Sequence, residues 1–124
     1  MGSGVERGSE EAHARLVKEC LEALALMGFA AWENLRRAVL VNGRWVSLSK
    51  SGRGDIHTIL PRWLDGSVVG IHGEVEIKTG QSTQSTKQRA HMRLVRNSGG
   101  VYIVARSTDE MRQSLTAAGF VTKP

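Results

Sequence analysis

Residues 73–80 read GEVEIKTG, and in them Val75 and Ile77 alternate with Glu74, Glu76 and Lys78. In a strand the side-chain period is two, so the three charges share one face and the two aliphatics share the other. A further acid, Asp55, begins the alternating stretch DIHTIL. Two unpaired carboxylates held about 5 Å apart on neighbouring strands repel each other, and one pKa rises. A divalent cation between them removes the conflict. Mg²⁺ takes oxygen ligands at ~2.0–2.1 Å and keeps several waters. Held by two carboxylates, it can bind a phosphate oxygen and activate a water. A lysine on the same face can stabilise the negative charge of the transition state or help activate the water. Asp55, Glu76 and Lys78 together therefore suit phosphodiester hydrolysis. The competing reading is an ordinary solvated strand face, where acid–lysine pairs contribute little.

Whether the acids meet depends on the elements that carry them. Asp65-Gly66 is a two-residue turn signal between DIHTIL and SVVGIHGEVEIK. If Leu64 opposes Ser67, Asp55 lies opposite Glu76 and His57 opposite Glu74. Ile56, Leu60, Val69, Ile71 and Val75 then fall together on the other face, and a buried face fixes register strongly. Pro61 opposes this, since it cannot donate to a ladder and a bulge there would shift the register. Asn42-Gly43 marks a second hairpin within residues 38–49. FAAW at 29–32 reads as a short strand, KSGRG at 50–54 as a basic glycine-rich loop and TGQSTQ at 79–84 as a polar loop.

Leu16, Val17, Cys20, Leu21, Leu24 and Met27 recur at helical spacing, which predicts a helix over 9–28 with Ser9 as N-cap and Gly28 as its stop. Ser85 opens a second helix that ends at Gly99-Gly100. VYIVAR at 101–106 reads as a buried strand, and Ser107 with Glu110 as a capping box opening a third helix that ends near Gly119. This order predicts a mixed α/β sandwich, with residues 1–8 a flexible lead and 9–124 a single domain.

The 124 residues are 40% hydrophobic and 23% charged, which suits one soluble domain with one core. No apolar run reaches the ~20 residues of a membrane span, and the first residues lack the apolar stretch of a signal peptide. Cytoplasmic location is the expectation. The one cysteine excludes an internal disulfide, and its place in the helical pattern predicts a core residue. One Cys and four scattered His give no structural zinc spacing. A net charge of +5 favours a polyanionic partner, nucleic acid first.

GRGDIHTIL followed by GEVEIKTG resembles the PD-(D/E)xK nuclease pattern, an acid on one strand and acid-x-lysine on the next. KTGQSTQSTKQ, 78–88, is similar to the VRR-NUC branch, where E-x-K precedes a polar loop and a helix opening with Ser-x-x-Gln. GGVYIVARSTDEM, 99–111, resembles that branch's ending, and the NGRWVSL hairpin resembles its stand-alone phage and bacterial members. The resemblance runs from about residue 9 to residue 119. It implies a restriction-endonuclease-like core, a mixed central β-sheet flanked by helices.

It also implies Asp55 and Glu76 as metal ligands with the Ile77 backbone carbonyl completing the shell, Lys78 as catalytic lysine, and Mg²⁺ or Mn²⁺ as cofactor. Gln88 matches the helix glutamine that faces the site in that branch; Ser85-x-x-Gln88 is equally a capping box, which would use the side chain locally. An acid of the first helix supports the shell in that branch, and helical phase favours Glu10 over Glu11; a dipole-favoured N-terminal acid is the alternative. The implied function is a structure-selective endonuclease cutting branched DNA, a Holliday junction or flap, and leaving 5′-phosphate ends. Two symmetric nicks across a junction need two sites, hence a homodimer, with the Asn42-Gly43 hairpin and Trp45 as interface. The setting would be a bacterial or phage-infected cell. Lys50, Arg53, Lys87, Arg89, Arg93 and Arg96 flank the site as candidate DNA contacts, with a solvated helix face as the alternative for Arg89, Arg93 and Arg96.

Gly54 departs from the proline common in that family, which should alter how the chain enters the strand rather than the chemistry. Glu33 stands in a region where relatives carry arginine. His57 and Glu74 are expected to form a surface salt-bridge-like pair, with metal ligation as the alternative, and His72 and His91 to be surface or packing residues. A catalytically silent nucleic-acid-binding module on the same scaffold is the alternative function, and a plain partner-binding domain a third.

Overall fold

Two turns organise the sheet. Asn42 and Gly43 have φ of 49° and 76°, and Asp65 and Gly66 have φ of 47° and 81°. Paired positive φ is the two-residue hairpin geometry whose twist matches that of the flanking strands. The computed structural model describes residues 3–34, 38–47 and 53–120. Lys50 therefore lies outside the described residues, as does part of the 50–54 loop.

The elements run α1 (Ser3–Leu26), β1 (Ala30–Glu33), β2 (Ala38–Val41), β3 (Arg44–Ser47), β4 (Ile56–Leu64), β5 (Ser67–Ile77), α2 (Thr86–Asn97), β6 (Val101–Ala105) and α3 (Thr108–Ala117). Four strands form a mixed sheet in the order β1-β4-β5-β6; β2 and β3 form a separate two-stranded sheet. β4 is antiparallel to both β1 and β5, while β6 joins β5 in parallel through the α2 crossover. This is a mixed α/β fold, a central mixed sheet flanked by helices.

The β4–β5 register is the expected one: Leu64 pairs with Ser67, His57 with Glu74 and Ile56 with Val75. Pro61 leaves it undisturbed, and alternation explains why. A two-residue hairpin makes Leu64–Ser67 a hydrogen-bonded pair, so Pro61–Gly70 falls at a non-hydrogen-bonded position. The nitrogen of Pro61 points instead to the outer edge, where β1 has already ended at Ala30–Ile59.

α1 corrects one expectation. It begins at Ser3, so Ser9 lies inside the helix instead of capping it, and helical backbone already covers much of the supposed 1–8 lead. Once a helix is nucleated, each added residue gains one hydrogen bond, and a preferred capping residue alone does not stop it.

The core lies on one face of the sheet. Val17, Cys20, Ala23 and Leu24 of α1, Met111 and Leu115 of α3, and Ile56, Leu60, Val75, Ile77, Ile103 and Ala105 of the strands form one buried cluster. α2 covers the opposite face at the β5–β6 end, bonding to Glu74 and Lys78. The C-terminal half of β5 is consequently buried on both sides. Ser85 caps α2 through a reciprocal capping box with Gln88, and the Ser107 side chain accepts from the Glu110 N–H at the start of α3.

Candidate functional site

The charged face of β5 is an interior surface. Glu74 is 2%, Glu76 0% and Lys78 8% exposed. The solvated-face reading therefore does not hold, because α2 lies over these residues. Buried charges need partners, and each one's partners define its place.

Glu76 Oε1 accepts from the Tyr102 hydroxyl at 2.7 Å and from Gln84 Nε2 at 3.1 Å. Its Oε2 is buried without a hydrogen-bond partner among the described residues, with the Lys78 ammonium 3.5 Å away. Burial, and then the bond it donates to Glu76, push the Tyr102 phenol far above its ordinary pKa, so it remains a donor. Asp55 sits just before β4, where its Oδ2 accepts from the Ile77 N–H at 2.7 Å. Its main-chain oxygen accepts from Asn34 N. Asp55 is thus tied to the backbone between Glu76 and Lys78.

A strand residue directs its N–H and C=O to the same edge. The Ile77 carbonyl therefore faces the Asp55 side, beyond the last β4–β5 pair at Ile56–Val75. Asp55, Glu76 and the Ile77 carbonyl are hard oxygen donors, and the bond from the Ile77 N–H ties Asp55 to the backbone next to Glu76. A buried carboxylate oxygen lacking a donor is costly, and an oxygen-liganded divalent cation would supply the missing partner. The residues present fit such an ion.

Lys78 donates to Gln88 Oε1 at 2.8 Å. The same oxygen accepts from Ser85 N at 2.8 Å. The capping bond and the bond from Lys78 share this oxygen, since an amide oxygen has two lone pairs. The lysine head is thereby fixed to the first turn of α2.

Glu10 is exposed on α1. The α1 side chain that reaches the site is His13, one turn later, with Nε2 3.5 Å from Asp55 Oδ1. Among the candidate DNA contacts, Lys87 and Arg93 are exposed on α2. Arg89 bonds to Gln84 O and Thr86 Oγ1, and Arg96 to Tyr102 O, so two members of the basic stripe engage α2's own ends and β6. Arg53 lines a pocket of about 370 Å³ with His57, His72, Glu74 and His91.

That pocket overturns the expected surface pair. Glu74 Oε1 accepts from the Gly54 N–H at 2.9 Å and His91 Nε2 lies 2.9 Å from it, while His72 Nε2 lies 2.8 Å from Oε2. Burial raises the Glu74 pKa, but the bonds from His72, Gly54 and His91 outweigh it and hold the carboxyl below its ordinary value. Burial lowers His57 despite the nearby Glu74 charge, favouring neutral imidazole. Gly54, expected to matter only for how the chain enters the strand, instead donates to Glu74 a bond that proline could not make.

Tyr102, Gln84, His91 and His13 escape the sequence. Tyr102 is hidden in a continuous apolar run, and the others act across long loops or between elements, with no local spacing to mark them.

A solved structure described as a VRR_NUC domain aligns with this fold at a TM-score of 0.55 and 22% identity, covering 88% of this chain and 98% of that one. No protein-family profile matches the chain, and no curated protein does. The fold is VRR-NUC-like, as the sequence motifs imply.

Proposed function

We propose that this VRR-NUC-like domain is a metal-dependent DNA endonuclease. The observation that carries the reading is the buried Glu76 carboxylate, one oxygen held by Tyr102 and Gln84 and the other without a hydrogen-bond donor among the described residues, with Asp55 tied to the adjacent Ile77 and a lysine fixed by Gln88. Asp55, Glu76 and the Ile77 carbonyl would hold Mg²⁺ or Mn²⁺, with Glu10 the candidate α1 acid. When bound, the cation supplies charge neutralisation at phosphate and an acidified water. Tyr102 and Gln84 orient Glu76 so that Oε2 is presented. Gln88 fixes the Lys78 ammonium, which stabilises negative charge developing on the phosphate oxygens. His13 approaches Asp55 from α1 and limits its rotation.

The substrate of this reading is branched DNA, a four-way junction or flap, cut to 5′-phosphate ends. Lys50, Arg53, Lys87, Arg89 and Arg93 would make the salt-sensitive phosphate contacts. A homodimer supplies the second site. In its support, the β2–β3 sheet pairs Leu40 with Trp45, and both are exposed, Trp45 at 74%. A lone two-stranded hairpin is marginally stable, and a partner hairpin would bury this face. Among the described residues no helix is long and apolar enough to cross a membrane. Cytoplasmic action in a bacterial or phage-infected cell belongs to the same reading.

The test is cleavage of four-way junctions, flaps and linear duplex with Mg²⁺, Mn²⁺ or EDTA. Branched substrates are expected to be cut only with metal, and Asp55→Ala or Lys78→Met to lower the rate at least about a hundredfold, as loss of one preorganised charge does. Metal-dependent cutting that persists in both variants defeats the site assignment. DNA binding without cutting, together with no Mg²⁺ or Mn²⁺ uptake at millimolar levels by calorimetry, favours the silent binding module.

A further inference from the structure

We propose that His57, His72 and Glu74 form a second, distinct metal centre, for an imidazole-preferring transition ion of the Zn²⁺ class. One ligand atom from each lies within 4.8 Å of the others. The residues converge through the register: His57 pairs across strands with Glu74, and His72 precedes Glu74 by two positions on the same face of β5. The centre is therefore set about 7 Å along the strand from Glu76.

Two features single it out from a chance grouping. His57 Nε2 is buried without a hydrogen-bond partner among the described residues, a costly state for an imidazole nitrogen. Glu74 is held in place before any ion arrives, its Oε1 by the Gly54 N–H and by His91 of α2, whose Nε2 also lies 3.0 Å from Oε2, while His72 Nε2 lies 2.8 Å from Oε2. Metal-ligating carboxylates are typically anchored by such outer bonds. His72 contributes adaptability, because its side chain is 53% exposed and can turn. Zinc–nitrogen bonds of ~2.0–2.1 Å require the ligand atoms to draw together only modestly from their present spacing.

The donor set separates this centre from the one at Asp55 and Glu76. Two imidazoles and one carboxylate suit Zn²⁺, Co²⁺ or Ni²⁺, whereas Mg²⁺ prefers oxygen. Three protein ligands leave a fourth tetrahedral position, facing the pocket that Arg53 also lines. A bound ion would cross-link β4 to β5 beside the residues that carry Asp55 and Glu76. Through His91 it would also steady α2, whose Gln88 holds Lys78.

The test reads ion binding without DNA, so its outcome is independent of nuclease activity. Co²⁺ and Zn²⁺ are titrated into the full chain carrying Glu76→Gln, which disables the oxygen site. One equivalent is expected to bind, with the visible bands of tetrahedral Co²⁺ bleached by Zn²⁺. Adding His72→Ala or His57→Ala should weaken binding at least about tenfold, with circular dichroism unchanged for His72→Ala because that side chain is half-exposed. Asp55→Asn in place of Glu76→Gln serves as a second background. No uptake by either background, or uptake unaffected by the histidine substitutions, overturns the proposal.

Discussion

Tyr102→Phe isolates the bond that presents Glu76. The substitution removes one hydroxyl from a side chain that is 2% exposed and leaves ring packing in place. Among the described residues Glu76 Oε1 then keeps Gln84 at 3.1 Å. A hydrogen bond to a charged group contributes about 1.5–3 kcal/mol. For a chain of this size 1 kcal/mol moves the melting temperature by about 3–6 °C, so a fall of roughly 5–18 °C is expected. Urea denaturation in EDTA gives the free energy directly, and the slope should stay at its wild-type value because exposed surface is unchanged. A double-mutant cycle with Glu76→Gln tests the cause. In that background the same hydroxyl faces a neutral amide, and its loss should cost about 0.5–1.5 kcal/mol. A Tyr102→Phe effect under about 0.5 kcal/mol, within the range of neutral surface changes, would refute the reasoning. So would an equal loss in both backgrounds.

Gly54 and Cys20 supply further checks. Gly54→Pro removes the N–H that bonds Glu74 and should cost at least about 1.5 kcal/mol. Gly54→Ala keeps that N–H but places a Cβ 3.0 Å from Glu74 Cβ, 3.2 Å from Val75 O and 3.3 Å from Glu74 Oε1, contacts that must ease by a few tenths of an ångström; urea melts should still rank alanine as the milder change, and the reverse order would discount the bond. Cys20 is fully buried, and burial pushes its thiol from 9.0 up to about 11. Native protein should therefore react with a thiol reagent at pH 8 far more slowly than unfolded protein; equal rates would show that Cys20 is accessible. A raised folded pKa contributes stability that is complete below pH 9 and is lost as pH climbs toward 11. The contribution is at most about 3 kcal/mol, and Cys20→Ala should flatten that alkaline part of the stability profile relative to wild type.

Much of this protein is legible in its residues because the relevant physics is local. Positive φ at Asn42-Gly43 and Asp65-Gly66 sets two hairpins, and the period of two along β5 then carries Glu74, Glu76 and Lys78 to one face and Val75 and Ile77 to the other. Register follows from the turn, so Asp55 reaches Glu76's neighbourhood without any knowledge of the helices. Ser85 and Ser107 mark their helix starts through bonds spanning three residues.

Tertiary structure decided what covers that face. α2 crosses above β5 and turns a strand that could have faced solvent into a buried site. That step makes Glu74 an anchored carboxylate with His72, His91 and Gly54 instead of a surface partner of His57. It lets one Gln88 oxygen serve both the cap and Lys78, and it brings Tyr102 from β6 to Glu76. On the other side, the packing phase of α1 brings His13, one turn beyond Glu10, to Asp55. These contacts join residues far apart in the chain, and their partners are chosen by which surfaces the core brings together. No spacing along the sequence carries that information.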